Sequence, residues 1–355
     1  MRQSRWANVY ALVCTLLMIA GAVMAFVCAW GDFGNLVKVL LGFVLGVILA
    51  PIVHEFGHIF LAVSQKMQVI YAKFFCFRMQ RKGRKLRFGF ASPFAADETQ
   101  VVPKSGGNMQ SRAIAYTLGG LLFSGVFFVL LLLTAVILTL FKINTFLVWG
   151  MLPYCAYLLI LNLAPFEYAA GKTDMLVFVG LKKGYDVEKN MLAAMKIQGY
   201  LFEGKSFCEM SRDLFFNLPV LREDEPLYAL MLDLRYRYHL EKGEIDEAAD
   251  CLNRLVVSQE YLSVSEAEHV AAECVYMHAL RGDFERAEEC GALCKEYLAS
   301  EEPAAKRILA AYSLAFGKAD AVQPLKMQAE ECFKNQTIQG LVKFERILLS
   351  RIEVA

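Results

Sequence analysis

Four long apolar runs fill the first half of the chain and predict four helices that cross a membrane. The runs cover residues 8–30, 36–63, 113–141 and 145–164. A helix needs about 20 apolar residues to span the hydrocarbon core of a bilayer. The first run could instead be read as a signal peptide, but it is longer than the usual apolar region of about 7–15 residues. We therefore predict that the first helix is not cleaved.

The polar segment between the second and third runs has the alternation of a β hairpin. Residues 69–79 are rich in β-branched and aromatic side chains, and residues 81–85 have the composition of a turn. Leu86, Phe88 and Phe90 then alternate along the chain. This pattern predicts a membrane-associated hairpin with one apolar face. The alternative is a basic loop that lies on anionic lipid headgroups. A hairpin edge would also offer backbone groups to an extended peptide.

The second half of the chain has a repeating pattern of amphipathic helical segments separated by glycines. Gly204, Gly243, Gly282 and Gly317 follow one another at intervals of 39, 39 and 35 residues. The segments that begin at Gly243 and Gly282 resemble the turn and second helix of tetratricopeptide repeats, although those repeats are about 34 residues long. Stacked helix pairs leave a concave groove, so this half is predicted to bind a peptide or a partner protein.

Composition and charge divide the chain in the same way. It is 57% hydrophobic, above the roughly 45–50% of soluble domains. Residues 1–182 contain 16 basic and 6 acidic residues, whereas residues 183–355 contain 21 basic and 30 acidic residues. Ten basic residues lie between the second and third apolar runs, and the opposite loops hold only Lys38 and Lys142. The positive-inside rule therefore places both termini in the cytoplasm. The acidic second half has no Gly-rich phosphate loop, which argues against nucleotide and nucleic-acid binding.

These patterns together predict an all-α membrane protein. About four transmembrane helices with a small membrane-associated β hairpin are followed by a cytosolic α-helical repeat domain. We expect a transmembrane domain over residues 1–180 and a tetratricopeptide-like domain over residues 185–355. The protein is then a multi-pass membrane protein in contact with the lipid bilayer.

The second apolar run contains the candidate chemistry, an H-E-x-x-H motif formed by His54, Glu55 and His58. Residues four apart lie one turn above each other on the same helix face, so the two imidazoles can bind one Zn²⁺. Glu55 can then handle the protons of a water molecule at the metal. The chain has only five histidines, and ionisable residues at membrane depth are rare unless they have a role. The motif therefore indicates a zinc site.

A third ligand is expected near the end of the fourth apolar run. Pro165 breaks the helix there, which is tolerated at membrane depth where the backbone lines a cavity or is buried. Residues 1–182 contain only six acidic residues, and four of these lie in loops or in the motif itself. Glu167 and Asp174 remain as candidates for the third ligand.

The two separated motifs resemble those of the site-2 protease family of intramembrane zinc metalloproteases. That family pairs a membrane-embedded H-E-x-x-H with a later N-x-x-P segment that is followed by a ligand aspartate. His54, Glu55 and His58 match the first motif, and Asn162 with Pro165 match the second. The resemblance covers about residues 8–180 and implies one zinc ion per chain, with Glu55 as the catalytic residue.

The same resemblance implies that Asp174 is the third zinc ligand, although the commoner family spacing would fall on Ala170. Gly171 gives the backbone freedom to turn back toward the second helix, and Glu167 is the reserve ligand. By analogy with the family, Asn162 would position the substrate strand or the helix break. The alternative is that Asn162 only caps the break.

The activity implied by the resemblance is hydrolysis of peptide bonds in or next to a transmembrane segment. The expected substrate is a transmembrane protein, a membrane-anchored protein or a peptide precursor, and the helical domain would bind a protein partner. One alternative is a catalytically inactive pseudoprotease that acts as a membrane scaffold and recruits partners through its helical repeats. A zinc-dependent transporter or sensor is a weaker alternative, because Glu55 would then have no evident task.

Overall fold

The computed structural model describes residues 5–82, 85–92, 98–168 and 171–353. The chain divides into two compact units. The first comprises residues 1–102 and 108–188, and the second comprises residues 103–107 and 189–355. The short segment 103–107 therefore belongs to the second unit, although its flanking residues belong to the first.

The first unit contains four helices that are long and apolar enough to cross a membrane, as the sequence predicts. They are α1 (Arg5–Cys28), α2 (Phe33–Ser64), α3 (Met109–Leu140) and α4 (Phe146–Leu163). Many of their leucine, valine and phenylalanine side chains are exposed on the outside of the bundle. Exposed apolar surface of this extent is typical of helices whose solvent is lipid.

Glycines bring α2 close to both of its neighbours. A Cβ atom on Gly42 would lie 2.0 Å from the carbonyl oxygen of Leu147 on α4. Further along α2, a Cβ atom on Gly57 would lie 2.2 Å from the carbonyl oxygen of Gly119 on α3. Side chains at these positions would push the helices apart, which explains the need for glycine at close helix crossings.

The loop between α2 and α3 forms a four-stranded sheet, so the predicted single hairpin is an incomplete description. The strands are β1 (Met67–Phe74), β2 (Phe77–Lys82), β3 (Lys85–Phe90) and β4 (Glu98–Pro103), in the order β3-β2-β1-β4. The predicted strand over residues 69–79 is two antiparallel strands, because the chain reverses at Phe75, where φ is +53°. Part of the predicted turn, residues 83–84, lies outside the described residues.

One face of β2 and β3 is apolar, as the alternation predicts. Phe77 pairs with Phe90, and Met79 pairs with Phe88. Phe88 and Phe90 are each 77% exposed, so this face is not covered by the described part of the first unit.

After α4 the chain makes a short hairpin and a short helix. Strands β5 (Glu167–Tyr168) and β6 (Gly171–Lys172) are antiparallel, and α5 covers Asp174–Lys183. Helix α5 packs against α3, where Gln110 donates a hydrogen bond to the carbonyl oxygen of Leu181 at 3.0 Å.

The described part of the second unit is helical. Helix α6 (Asp186–Phe202) leads into it from the first unit. The remaining helices are α7 (Asp213–Phe216), α8 (Pro226–Lys242), α9 (Ile245–Val257), α10 (Val264–Leu280), α11 (Phe284–Leu293), α12 (Lys295–Ala299), α13 (Pro303–Ala315), α14 (Val322–Phe333) and α15 (Gln339–Ser350). Successive pairs pack together: α8 on α9, α10 on α11, and α13 on α14. Gly243, Gly282 and Gly317 lie in the turns within these pairs with φ of +85°, +71° and +78°. Each turn therefore uses a backbone conformation that favours glycine.

A charged network is buried in the core of the second unit. Arg307 on α13 is fully buried and donates to Glu273 on α10 at 2.6 Å and to Glu345 on α15 at 2.7 Å. Tyr236 on α8 donates to the second oxygen of Glu273 at 2.7 Å. The guanidinium also lies 4.2 Å from the ring centroid of Tyr276. Charges buried this deeply require such partners, and these contacts join four helices.

Candidate metal centre

Helix α2 and the start of α5 bring three ligand-type atoms together inside the first unit. His54 and His58 project from one face of α2, and their Nε2 atoms are 3.3 Å apart. The Oδ2 atom of Asp174 lies 3.2 Å from His54 Nε2 and 3.4 Å from His58 Nε2. Both histidines are buried, and Asp174 is mostly buried. This group is suited to holding a metal ion.

The break after α4 returns the chain toward α2. Helix α4 ends at Leu163, and Thr173 Oγ1 donates to the freed carbonyl oxygen of Ala164 at 2.7 Å. Gly171 has a φ of +128°, which only glycine adopts readily. The Thr173 hydroxyl also accepts from Leu176 N at 3.3 Å, which caps α5. Asp174 is therefore the first residue of a capped helix, and its position is fixed by backbone contacts.

The other two candidates from the fourth apolar run lie elsewhere. Glu167 is on β5, opposite Lys172, and does not belong to the ligand group. Asn162 donates from Nδ2 to the carbonyl oxygen of Leu158 at 3.2 Å, within α4. This contact is within its own helix. The role of Asn162 toward a substrate stays a prediction.

Each histidine is oriented by a contact on its other ring nitrogen. His58 Nδ1 is 2.8 Å from the carbonyl oxygen of Tyr116 on α3. A carbonyl only accepts, so Nδ1 carries the proton and donates. In the neutral imidazole, Nε2 then presents its lone pair to the group. His54 Nδ1 is 3.0 Å from Ser124 Oγ, also on α3, and this contact fixes the orientation of the ring. Partners of this kind are typical around metal-binding histidines.

The donor set fits a small tetrahedral cation. Asp174 Oδ2 is buried and receives no hydrogen bond, and His58 Nε2 has a free lone pair when its Nδ1 carries the proton, so both atoms are available as metal ligands. Zinc lies about 2.0–2.1 Å from nitrogen and oxygen ligands. A tetrahedron of that size has edges of about 3.3–3.4 Å. The three separations of 3.2, 3.3 and 3.4 Å agree with this geometry.

Gly120 on α3 makes room for the two imidazoles. A Cβ atom there would lie 2.5 Å from His54 Cε1 and 2.5 Å from His58 Nε2. Small residues at positions 119–120 and 124–125 of α3 form a pattern that favours close helix packing, and a Cβ atom on Gly119 would lie 2.5 Å from the carbonyl oxygen of Gly57. Gly120 in addition contacts the ligand side chains themselves, which the pattern of small residues alone does not reveal.

Glu55 follows His54 in the sequence and is not one of the three residues of the ligand group. Its carboxylate is buried, with the whole residue 7% exposed. Thr99 on β4 donates from Oγ1 to Glu55 Oε2 at 2.6 Å. The arrangement therefore has three atoms that can bind a metal and a fourth group, a carboxylate, beside them.

Three residues that orient this site are not apparent from sequence motifs: Thr99, Tyr116 and Ser124. None belongs to either motif, and each is 44 to 70 residues from its partner in the chain. Ser124 is within the small-residue stretch of α3, but its hydroxyl has no special local pattern.

Comparison with protein-family models, with curated proteins and with solved structures finds no match for this chain.

Proposed function

We propose that this protein is an intramembrane zinc metalloendopeptidase that hydrolyses peptide bonds in or next to transmembrane segments. The observation that carries the proposal is the set of three separations, 3.2 to 3.4 Å, among His54 Nε2, His58 Nε2 and Asp174 Oδ2. It is supported by the buried carboxylate of Glu55 beside them and by the four membrane-length helices. The resemblance of the two motifs to site-2 proteases points to the same activity.

The proposed roles follow from the chemistry of each side chain. His54, His58 and Asp174 would hold one zinc ion and leave its fourth position open. When bound, zinc supplies a Lewis acid that activates water at neutral pH and stabilises the negative charge that develops on the attacked carbonyl. Glu55 would accept the proton of that water and deliver it to the leaving amine. Oε2 of Glu55 is engaged by Thr99, so Oε1 is the oxygen left for this transfer.

The substrate must present an unwound backbone, because the carbonyls of a helix are already hydrogen-bonded within it. Segments with weak helix formers near the cut are therefore the expected substrates. These would be transmembrane proteins, membrane-anchored proteins or peptide precursors. Strands β3 and β4 are the edges of the sheet, and an edge can pair with an extended peptide.

The proposed topology follows from the distribution of basic residues. Both termini, the sheet-forming loop and the second unit would be cytoplasmic, with Asp32 on the opposite side. The second unit would then act as a cytosolic helical repeat domain that binds a protein partner. Accessibility of single introduced cysteines near Lys104 and at Asp32 in intact cells measures this directly, and labelling of the Asp32 site from the cytoplasm would reverse the orientation.

Metal analysis together with Glu55→Gln tests the activity. We expect about one zinc ion per chain in both the wild type and the variant, because Glu55 is not a ligand. The wild type should cleave at least one member of a panel of fluorogenic transmembrane peptides in phosphatidylcholine–phosphatidylglycerol vesicles. Glu55→Gln should lose about 100-fold or more of that activity. A zinc-loaded wild type that cleaves no peptide would favour the pseudoprotease scaffold. Cleavage that survives in Glu55→Gln would exclude the proposed mechanism.

A further inference from the structure

Four residues of the first unit form a closed set of hydrogen bonds around the site, which we name the Thr99 link. Thr99 Oγ1 donates to Glu55 Oε2 at 2.6 Å, and the phenol of Tyr116 donates to the backbone carbonyl oxygen of Thr99. The carbonyl oxygen of Tyr116 accepts from His58 Nδ1 at 2.8 Å. Glu55 and His58 are three residues apart on α2, which closes the set. Strand β4, helix α2 and helix α3 are therefore joined at one point.

We propose that Thr99 is a positioning residue for Glu55, so that β4 is part of the catalytic machinery. This inference rests on the proposed function. Thr99 reaches Glu55 from outside the helix bundle, and both side chains are buried. The hydroxyl fixes one carboxylate oxygen and thereby selects the rotamer in which the other oxygen is available for proton transfer.

The hydrogen bond from Thr99 restricts the orientation of the Glu55 carboxylate. A free glutamate side chain has three rotatable bonds, and each one costs entropy to fix. A short hydrogen bond from a hydroxyl to a carboxylate is one of the stronger kinds in proteins. Tyr116 fixes Thr99 in turn, through its backbone, and its ring lies 5.1 Å from the ring of His58 between centroids. Both the proposed base and one proposed ligand are thus oriented by the same tyrosine.

Thr99 lies on β4, which is an edge strand of the four-stranded sheet. Strand β4 neighbours β1, and β1 follows α2 after the two-residue turn at Gln65 and Lys66. The sheet is therefore attached to α2 at two points, by the chain at β1 and by the Thr99–Glu55 hydrogen bond at β4. Displacement of β4 would break both the hydrogen bond to Glu55 and the hydrogen bond from Tyr116.

Three variants of the full chain in vesicles test the positioning role. Thr99→Val keeps the shape of the side chain and removes the hydroxyl, and Thr99→Ser keeps the hydroxyl. Thr134→Val is the matched control, since the Thr134 hydroxyl lies on an exposed face of α3 and donates to the carbonyl oxygen of Leu130 in its own helix. The readouts are zinc content, kcat and KM for the peptide of the panel that the wild type cleaves.

We expect Thr99→Val to keep about one zinc ion per chain and to lose about 10- to 100-fold in kcat, because small misplacements of a reacting group have effects of that size. KM should change by less than about twofold, and both Thr99→Ser and Thr134→Val should stay near the wild type. Wild-type kcat in Thr99→Val would overturn the inference. So would loss of zinc in that variant, or a Thr99→Ser variant as slow as Thr99→Val. Activity in Glu55→Gln would instead overturn the proposed function itself, so the two failures are distinguishable.

A thermal-unfolding cycle tests the same contact without any activity. The melting temperatures of Thr99→Val, Glu55→Ala and the double variant are compared with the wild type in detergent. If the hydrogen bond forms, the double variant should lose less than the sum of the two single losses, because the contact can be removed only once. Additive losses would show that Thr99 does not hold Glu55 and would overturn the inference.

Discussion

Both units bury ionisable side chains, but they arrange them in opposite ways. In the second unit, Arg307 lies between Glu273 and Glu345, so each buried acceptor faces a donor. In the first unit, Nε2 of His54, Nε2 of His58 and Oδ2 of Asp174 converge, and the Asp174 oxygen receives no hydrogen bond. Burial alone therefore does not mark a functional site. The balance of donors and acceptors separates a structural network from a site that requires a cation.

The two arrangements also differ in how the electrostatic cost of burial is compensated. A carboxylate beside a guanidinium is compensated by the protein itself, whereas three electron-rich atoms at 3.2 to 3.4 Å repel one another. The second arrangement is stable only when a proton or a metal cation lies among the three atoms.

Removing Asp174 should abolish metal binding. Asp174→Ala leaves two imidazoles and no anionic ligand, so we expect zinc to fall from about one ion per chain to nearly none, with all peptidase activity lost. Glu167→Ala is the matched control, because Glu167 lies on β5 outside the ligand group. Zinc analysis of the two purified variants measures this. Full zinc content in Asp174→Ala would mean that the third ligand lies elsewhere.

A methyl group at Gly120 should disturb the site without removing any ligand. Gly120→Ala places a Cβ atom 2.5 Å from both imidazoles, and we expect zinc affinity to fall about 10- to 100-fold, as for other disturbances of ligand orientation. Gly125→Ala is the control, because a Cβ atom there meets nothing within 4 Å. Alanine favours helix formation over glycine, so neither change weakens α3 by propensity. Competition with a chromophoric chelator measures the affinity, and equal affinities in the two variants would contradict the close contact.

In the second unit, loss of the buried cation should destabilise the fold and leave zinc unaffected. Arg307→Met leaves two carboxylates buried without their partner, which costs about 3–5 kcal/mol in comparable cases. Lys334→Met is the control, because Lys334 and Glu331 form an exposed ion pair worth about 0–1 kcal/mol. Hydrogen exchange of the full chain, followed on peptides from α10, α13 and α15, measures the free energy of local opening. Unchanged protection in Arg307→Met would show that the buried network does not stabilise the second unit.

The smallest effect is the acid sensitivity of the same network. Burial by itself would raise the pKa of Glu273, but Arg307, His269 and Arg237 together with the hydrogen bond from Tyr236 outweigh it, and the pKa lies below its ordinary value. A carboxylate with a lowered pKa stabilises the fold above its unfolded value of about 4.3 and loses that contribution as the pH falls toward the folded pKa. We expect exchange protection in α10 to decrease below pH about 4.3 in the wild type. The decrease should be weaker in Arg307→Met, and an equal decrease in both would assign the effect to other carboxylates.

The sequence predicts the parts of this protein that depend on local patterns. The four apolar runs become four membrane-length helices, because nothing shorter than a continuous helix satisfies its backbone in lipid. The spacing of His54 and His58 is enough to put them on one face of α2. Asp174 is harder, since only the residue type, the helix break and the freedom of Gly171 point to it. The structure places Asp174, and not Glu167, beside the histidines.

The parts that the sequence does not reveal depend on distant contacts. The reversal at Phe75 uses a positive φ on a residue with no turn signature, so a run that looks like one strand becomes two. Strand β4 is only six residues long and ends at Pro103, and although Thr99, Val101 and Val102 are β-branched, nothing in its own sequence shows that it lies beside β1. Thr99 and Tyr116 belong to no sequence motif, and only the fold brings them into contact with Glu55 and His58.

The position of the ligand group along α2 determines where water can come from. His54 is 21 residues after Phe33, the first residue of α2, which corresponds to about 32 Å of helix. The hydrocarbon core of a bilayer is about 30 Å thick. In the proposed topology, with Asp32 at one boundary of that core, the histidines would lie close to the other boundary, on the side of the sheet. Hydrolysis there would draw its water from the nearer aqueous phase without carrying it through lipid. We therefore expect the cut to fall near one end of a substrate's transmembrane segment, with little of that segment left on the released fragment.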